Sequence, residues 1–192
     1  LGDVYKRQVE KIVRQLDRFK AKLGAPDVLQ KVVKTTAQKV KTQLVKDAKK
    51  RYALVDESGL KDQNKGAPRV TTQKGAAVSA VITSKGPMQD IMAFLTQPNT
   101  KTGAAAAQIL NEGREKELKK GDLKAFVTRF ASGHVAIVQR RGENRLPVKK
   151  LLSPAVPHML GNEEVRKQAE TLAFQIMQKE MEKQIRKITA AT

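Results

Sequence analysis

Residues 125–160 read AFVTRFASGHVAIVQRRGENRLPVKKLLSPAVPHML, and the fold class turns on them. Phe126, Thr128 and Phe130 alternate with Val127 and Arg129. After Ser132-Gly133, the residues Val135, Ile137 and Gln139 alternate with Ala136 and Val138. Two period-2 runs joined by a Gly-containing turn predict a β-hairpin with one buried face. A basic turn of Arg140, Arg141, Gly142 and Asn144 follows, and Arg145-Leu146-Pro147-Val148 restarts extended chain, because a residue preceding proline avoids the helical region. Pro154 and Pro157 predict that the chain stays extended until a helix starts near Asn162.

Working outward, the C-terminal segment reads as a long helix. Asn162 is placed to cap it, Glu163 and Glu164 occupy its first turn, and Val165, Ala169, Leu172, Ile176, Met181, Ile185 and Ile188 form a drifting apolar stripe. That stripe predicts packing against a sheet, with contact to a neighbouring subunit as the alternative for its C-terminal half. Upstream, residues 9–23 read as a short helix that Gly24-Ala25-Pro26 ends, and a longer one is predicted over 26–54. Leu29, Val33, Ala37, Val40, Leu44 and Ala48 supply its apolar face, while Lys31, Lys39, Lys46, Lys49 and Lys50 fall mostly on the other side. Such a lysine face either solvates the helix or meets phosphate.

Between these helices, residues 56–68 read as a polar connection and 70–85 as a hairpin around Gly75, with Val78, Ala80 and Ile82 sharing a face. The apolar run 88–95 fits a buried strand or a short helix, with strand preferred. Residues 97–112, with Pro98, Gly103 and the run Ala104 to Ala107, predict a mobile loop with a helical turn. Residues 116–124 turn at Gly121-Asp122 into the main hairpin. The expected class is α+β: basic N-terminal helices, a small, mainly antiparallel sheet of hairpins, and a long C-terminal helix packed on it. Residues 9–54 form the basic helical segment and 55–192 the α+β domain, with 9–192 expected to make one structural unit. Asp3-Val4-Tyr5-Lys6-Arg7-Gln8 looks like the translation of a sequencing-library adaptor, so residues 1–8 are expected to be foreign to the fold.

Composition bounds the function. A chain of 192 residues can bury a core, which at 4% aromatic content should be aliphatic. Without cysteine there is no disulfide framework, thiolate metal site or cysteine nucleophile. No apolar run reaches the roughly 20 residues of a membrane helix, so no membrane partner is expected. The formal charge of +19 favours polyanionic neighbours, nucleic acid or an acidic protein surface. It is uneven: residues 9–53 hold 13 basic and 4 acidic side chains, residues 151–192 only 6 and 5.

Residues that could carry chemistry are sparse. His134 and His158 lack metal-ligand spacing, and Asp56, Glu57 and Asp62 read as loop caps or solubilising groups rather than a carboxylate site. No phosphate-binding glycine loop, dinucleotide fingerprint or nucleophile elbow is present, and nothing flanking Ser153 would activate it. The expectation is a non-enzyme with no cofactor and no metal. Arg129, Arg140, Arg141, Arg145, Lys149 and Lys150 gather on and beside the main hairpin, a candidate phosphate contact together with Lys39, Lys46, Lys49 and Lys50. Lacking zinc, zipper and aromatic RNA motifs, any such binding should be sequence-independent and salt-sensitive.

The run SGHVAIVQRRGENRLPVKKLLSPAVPHMLGNEEV resembles the prophage minor tail protein Z family, tail-completion components of long-tailed phages. The resemblance is carried by Gly133-His134-Val135, Arg145-Leu146-Pro147, the segment Pro154 to Met159 and the helix that follows. A weaker likeness runs upstream through Tyr52 and Ser84-Lys85-Gly86, so that most of residues 25–188 are covered. The chain departs from the family pattern at Ser153 and Ala155, where Gly and Ser are more usual. The resemblance implies a virion component at the head-proximal tail end or neck, made in the bacterial host cytoplasm. It also implies tail or neck proteins as partners, a homo-oligomeric ring, and contact with packaged DNA. Gly133, His134, Arg145, Pro147, Pro154 and Pro157 are the candidate subunit contacts. A free nucleic-acid-binding protein of nucleoid-associated or ribosomal type is the alternative reading.

Overall fold

The structure, a computed structural model, describes residues 14, 17, 18, 20–73, 77–99 and 103–190. The class is α+β, with small antiparallel sheets and a long C-terminal helix packed on the sheet, as the sequence predicts. The chain divides into two compact units, one of the described residues up to Thr42 with Arg69–Thr83 and those from Gln168, the other of Gln43–Pro68 and Ser84–Lys167.

The first unit contains most of two helices and one hairpin. Helix α1 (Pro26–Arg51) has Asp27 in its first turn and Lys49, Lys50 and Arg51 in its last, each sign at the end where the helix dipole favours it. Its buried stripe in this unit is Val32, Thr36, Ala37 and Val40, displaced by one residue from the predicted Leu29–Val33 start. Strands β1 (Arg69–Gln73) and β2 (Ser79–Thr83) pair antiparallel from Arg69 with Thr83 to Gln73 with Ser79. Their strict exposed/half-buried alternation matches the predicted face, and the hairpin tip at Gly75 lies outside the described residues. Helix α3 (Glu163–Ala190) contributes Ala169, and also Glu180 and Gln184, two polar side chains within an otherwise apolar stripe. Of the predicted helix over 9–23, residues 20–23 are helical, and most of the rest lies outside the described residues.

In the second unit α1 ends at Arg51, three residues before the predicted end. Tyr52 and Leu54 leave the helix to bridge Leu110 and Phe94. The Asn111 side-chain amide donates to the carbonyls of Lys50 at 2.8 Å and of Lys49 and Tyr52 at 3.3 Å, occupying acceptors that a helix end leaves open. The core is chiefly aliphatic but centres on Phe94, fully buried and edge-on to Tyr52 at 6.4 Å between ring centroids, with Leu60, Val156, Met159 and Leu160 around them.

Residues 88–95 are neither one strand nor one helix. Strand β3 (Gln89–Asp90) is followed by a 3-10 turn at Ile91–Ala93, capped by Asp90, and β4 begins at Leu95 (Leu95–Gln97). The expected mobile loop over 97–112 is corrected more sharply. Its alanine run enters β5 (Ala106–Gln108), the middle strand of a sheet with β4 and β6 (Lys116–Glu117). Ala104, Ala105 and Ala107 are buried there with Ile91, Ala125 and Ile137. Methyl side chains let the strand lie close against its neighbours, and tertiary burial overrides alanine's helical preference.

Strands β7 (Lys119–Lys120), β8 (Leu123–Arg129), β9 (Val135–Arg140) and β10 (Val148–Lys150) make a four-stranded sheet in the order β10-β9-β8-β7. Gly121, at φ 57°, opens the two-residue turn between β7 and β8. Strand β9 is buried on both faces, Ala136, Ile137 and Val138 being fully enclosed, whereas the pattern predicted one buried face. Its central position explains this, since Val138 stands between Phe126 of β8 and Lys150 of β10, and Ala136 stands opposite Thr128 of β8. After β11 (Leu152–Ser153), paired with β3, a short helix α2 (Val156–Leu160) replaces the predicted extended chain. Pro157 sits in its first turn, where a missing N–H costs no hydrogen bond.

Candidate interaction surface

Register divides the main hairpin's side chains between two faces, because successive residues of a strand point to opposite sides. Phe126 pairs with Val138, Thr128 with Ala136, and β10 adds Val148 opposite Arg140 and Lys150 opposite Val138. One face therefore carries Phe126, Thr128, Ala136, Val138, Arg140, Val148 and Lys150. The other carries Ala125, Val127, Ile137, Gln139 and Lys149 and turns its centre to the core. The basic cluster that is contiguous in sequence is thereby split, Arg140 and Lys150 on one side and Lys149 on the other.

Each candidate cation has a definite setting. The Arg140 guanidinium lies 5.8 Å over the Phe126 ring, which holds it at the sheet surface by cation–π attraction. Arg141, Arg145 and Lys149 are exposed and form no ion pair among the described residues. Lys150 Nζ is 2.6 Å from Asp90 Oδ2 and 3.0 Å from His134 Nε2. On α1, Lys46 and Lys50 are exposed, and Lys49 pairs with Glu57. In the first unit Lys39 Nζ lies 2.5 Å from Glu180, and that hydrogen bond, opposed by burial and aided by nearby lysines, holds the Glu180 carboxyl below its ordinary range.

The candidate subunit contacts fall into two groups. Gly133 forms the hairpin tip at φ 81°, a left-handed conformation that disfavours any side chain. Beside it the His134 ring stacks on Phe130, 6.3 Å between centroids and 15° between planes. Residues 141–147 are all exposed, so Arg145, Leu146 and Pro147 stand in solvent, and the Leu146–Pro147 peptide bond is cis. Leu146, at 68% exposure, is the most exposed large apolar side chain in this unit, followed by Val55 at 63%. Pro154 and Pro157, by contrast, are half-buried, and Pro157 lies close against Gly66. Asp56 and Asp62 behave as loop caps, accepting from the backbone N–H of Ser58 at 2.8 Å and of Asn64 at 2.9 Å. Bonds from the Ser58 hydroxyl and backbone N–H lower the Asp56 pKa, with Lys65 adding to the effect.

Sequence reasoning missed Asp90, which joins His134 to Lys150, because its partners lie 44 and 60 residues away and no local spacing marks them. It also missed a cavity of about 200 Å³ lined mainly by Leu54, Val55, Leu60, Met92, Val156 and Met159, with Asp56 and Lys65 beside them. His158 is exposed and Ser153 is buried, its hydroxyl directed to the carbonyls of Gln89 and Asp90 at 3.3 Å. Among the described residues no three His, Asp or Glu side chains are grouped to hold a metal ion. No family model, curated protein or solved structure matches the chain.

Proposed function

We propose that this chain is a non-enzymatic structural component of a long-tailed phage or prophage, a minor tail or tail-completion protein acting at the head-proximal tail end or neck. The observation that carries the reading is the stretch from Gly133 to Leu160. Within it Ala136–Gln139, Ser153, Ala155, Val156, Met159 and Leu160 are buried, while every residue of Arg140–Pro147 is exposed. A buried frame that presents an exposed Arg-Leu-Pro loop suits contact between subunits of an assembly. Copies form a ring, tail and neck proteins are its neighbours, and the exposed cations face packaged DNA or an acidic partner. Cryo-electron microscopy of the source virion tests this: density for the chain at the top of the tail is expected, and a tail top fully accounted for by other chains overturns it.

The unpaired cations Arg141 and Arg145, with Arg140 beside them, also favour a second reading, a free nucleic-acid-binding protein. Three phosphate contacts give a slope of about −2.7 in log K against log salt for duplex DNA. Fluorescence anisotropy with duplexes of unrelated sequence measures it. Tight binding at physiological salt, together with absence from particles, selects this reading over the first.

A further inference from the structure

We infer that Leu146 of one copy seats in the Leu54–Val55–Met159 cavity of the next, joining copies of this chain head to tail. The inference rests on the ring reading and adds to it the knob and the socket.

Two exposed apolar features of this unit call for cover. Leu146 stands at the end of a loop exposed throughout, on a turn fixed by the Arg141 N–H to Pro147 carbonyl bond at 3.0 Å. A loop held in shape loses less freedom on binding than a mobile one. Val55 forms one wall of the cavity, Leu54, Leu60, Met92, Ala93, Val156 and Met159 supply its apolar lining, and Asp56, Lys65 and Gln89 supply its polar part. A dry cavity of roughly 150 Å³ already accepts a benzene-sized guest. The space here, about 200 Å³, takes one branched aliphatic side chain.

Charge fixes the occupant and its direction. Arg145 adjoins Leu146, and Asp56 adjoins Val55. Neither makes an ion pair among the described residues, and Ser58 keeps the Asp56 carboxylate oriented. Seating Leu146 against Val55 therefore brings a guanidinium to a carboxylate. Lys65 lines the same cavity and already acts on the Asp56 carboxylate, so Arg145 meets Asp56 in competition with it, while the neighbouring Glu57 is held by Lys49. Knob and socket are different surfaces, so the contact is heterologous and propagates around a ring.

The chain has no cysteine, which makes cross-linking specific. Full-length Leu146→Cys and Val55→Cys variants are mixed and oxidised. A disulfide-linked heterodimer is expected, while Met88→Cys, exposed but off the cavity, gives none with Leu146→Cys. The double variant should form a ladder beyond dimers. Leu146→Asp should weaken self-association, read by mass photometry, on the order of tenfold or more, the effect of losing one buried leucine. Absence of the heterodimer, a ladder stopping at dimers, or linkage of Val55→Cys to Phe174→Cys instead overturns the inference. Wild-type mass then separates the two failures: multimers without the cross-link leave the ring standing, and a strict monomer removes both.

Discussion

Replacing Gly86 with alanine should destabilise the second unit, although Gly86 has an ordinary negative or extended φ and no conformational need for glycine. A Cβ there would fall 2.4 Å from the Lys65 carbonyl oxygen, 2.6 Å from its carbon and 2.7 Å from Gly66 Cα, all backbone. The Lys65–Gly66 segment cannot simply rotate away. Gly66 is buried at φ 103°, its carbonyl accepts from the Ser84 hydroxyl, and Pro157 lies against it. Two effects compete. Alanine stiffens the unfolded chain, worth about 0.4–1 kcal/mol in favour of folding. Overpacking against fixed backbone costs about 1–3 kcal/mol. The net expectation is a loss of roughly 1–2 kcal/mol. Gly142→Ala is the matched control, because its Cβ meets nothing within 4 Å and only the first effect operates. Urea unfolding followed by far-ultraviolet circular dichroism, fitted with a common slope, compares the two. Equal stability of Gly86→Ala and Gly142→Ala would falsify the reasoning that the close approach of two backbone segments fixes this position.

Phe94→Ala should cost about 3–5 kcal/mol, since the ring is fully enclosed and its loss also removes the edge contact with Tyr52; a fall under 1 kcal/mol in the same urea assay contradicts Phe94 as the centre of that core. Asn111→Ala leaves three carbonyls at the end of α1 without their side-chain donor and should cost about 1–2 kcal/mol, with amide exchange rising at residues 50–54 if the cap is what ends the helix there. Acid should weaken the first unit through Glu180. Its pKa is lowered on folding from the ordinary 4.5, so the stability it contributes is present above that value and lost as pH falls through the lowered one. Thermal midpoints measured between about pH 6 and pH 3 should therefore fall more steeply in the wild type than in Glu180→Gln, and parallel curves would remove Glu180 from the account.

Where a local rule was also the global one, the sequence was legible. The C-terminal helix begins at Glu163 because Asn162 Oδ1 accepts the Glu164 N–H at 3.1 Å, and its stripe is set by helical period. Gly121 and Gly133 hold the left-handed turns their contexts imply. Where burial decided, the local reading failed. Ala104 to Ala107 prefer helix in isolation, yet Ala105 exchanges backbone hydrogen bonds at 2.8 Å with Leu118 and Ala125, residues that no nearby pattern joins to it. Pro157 was read as keeping the chain extended, but the same fixed φ suits the first turn of α2.

The candidate surface shows the same division in electrostatic form. A run such as Arg140-Arg141 and Lys149-Lys150 doubles the apparent charge of a patch, because the count along the chain ignores the pleat. Once Lys150 is turned to one face and Lys149 to the other, a flat phosphate-bearing ligand on one side of the strand meets half of the cations counted. Partner acids reduce the number again: Asp90 holds Lys150, Glu57 holds Lys49 and Glu180 holds Lys39, each from a segment distant in sequence. What remains unpaired around β9 and β10 is concentrated at the exposed loop, where Arg141 and Arg145 flank the turn that lifts Leu146 into solvent. An exposed leucine carries no weight singly. Beside unpaired guanidinium groups, in a unit whose other most exposed apolar side chain walls a largely apolar cavity, it makes this loop, rather than the lysine face of α1, the surface best built for a partner.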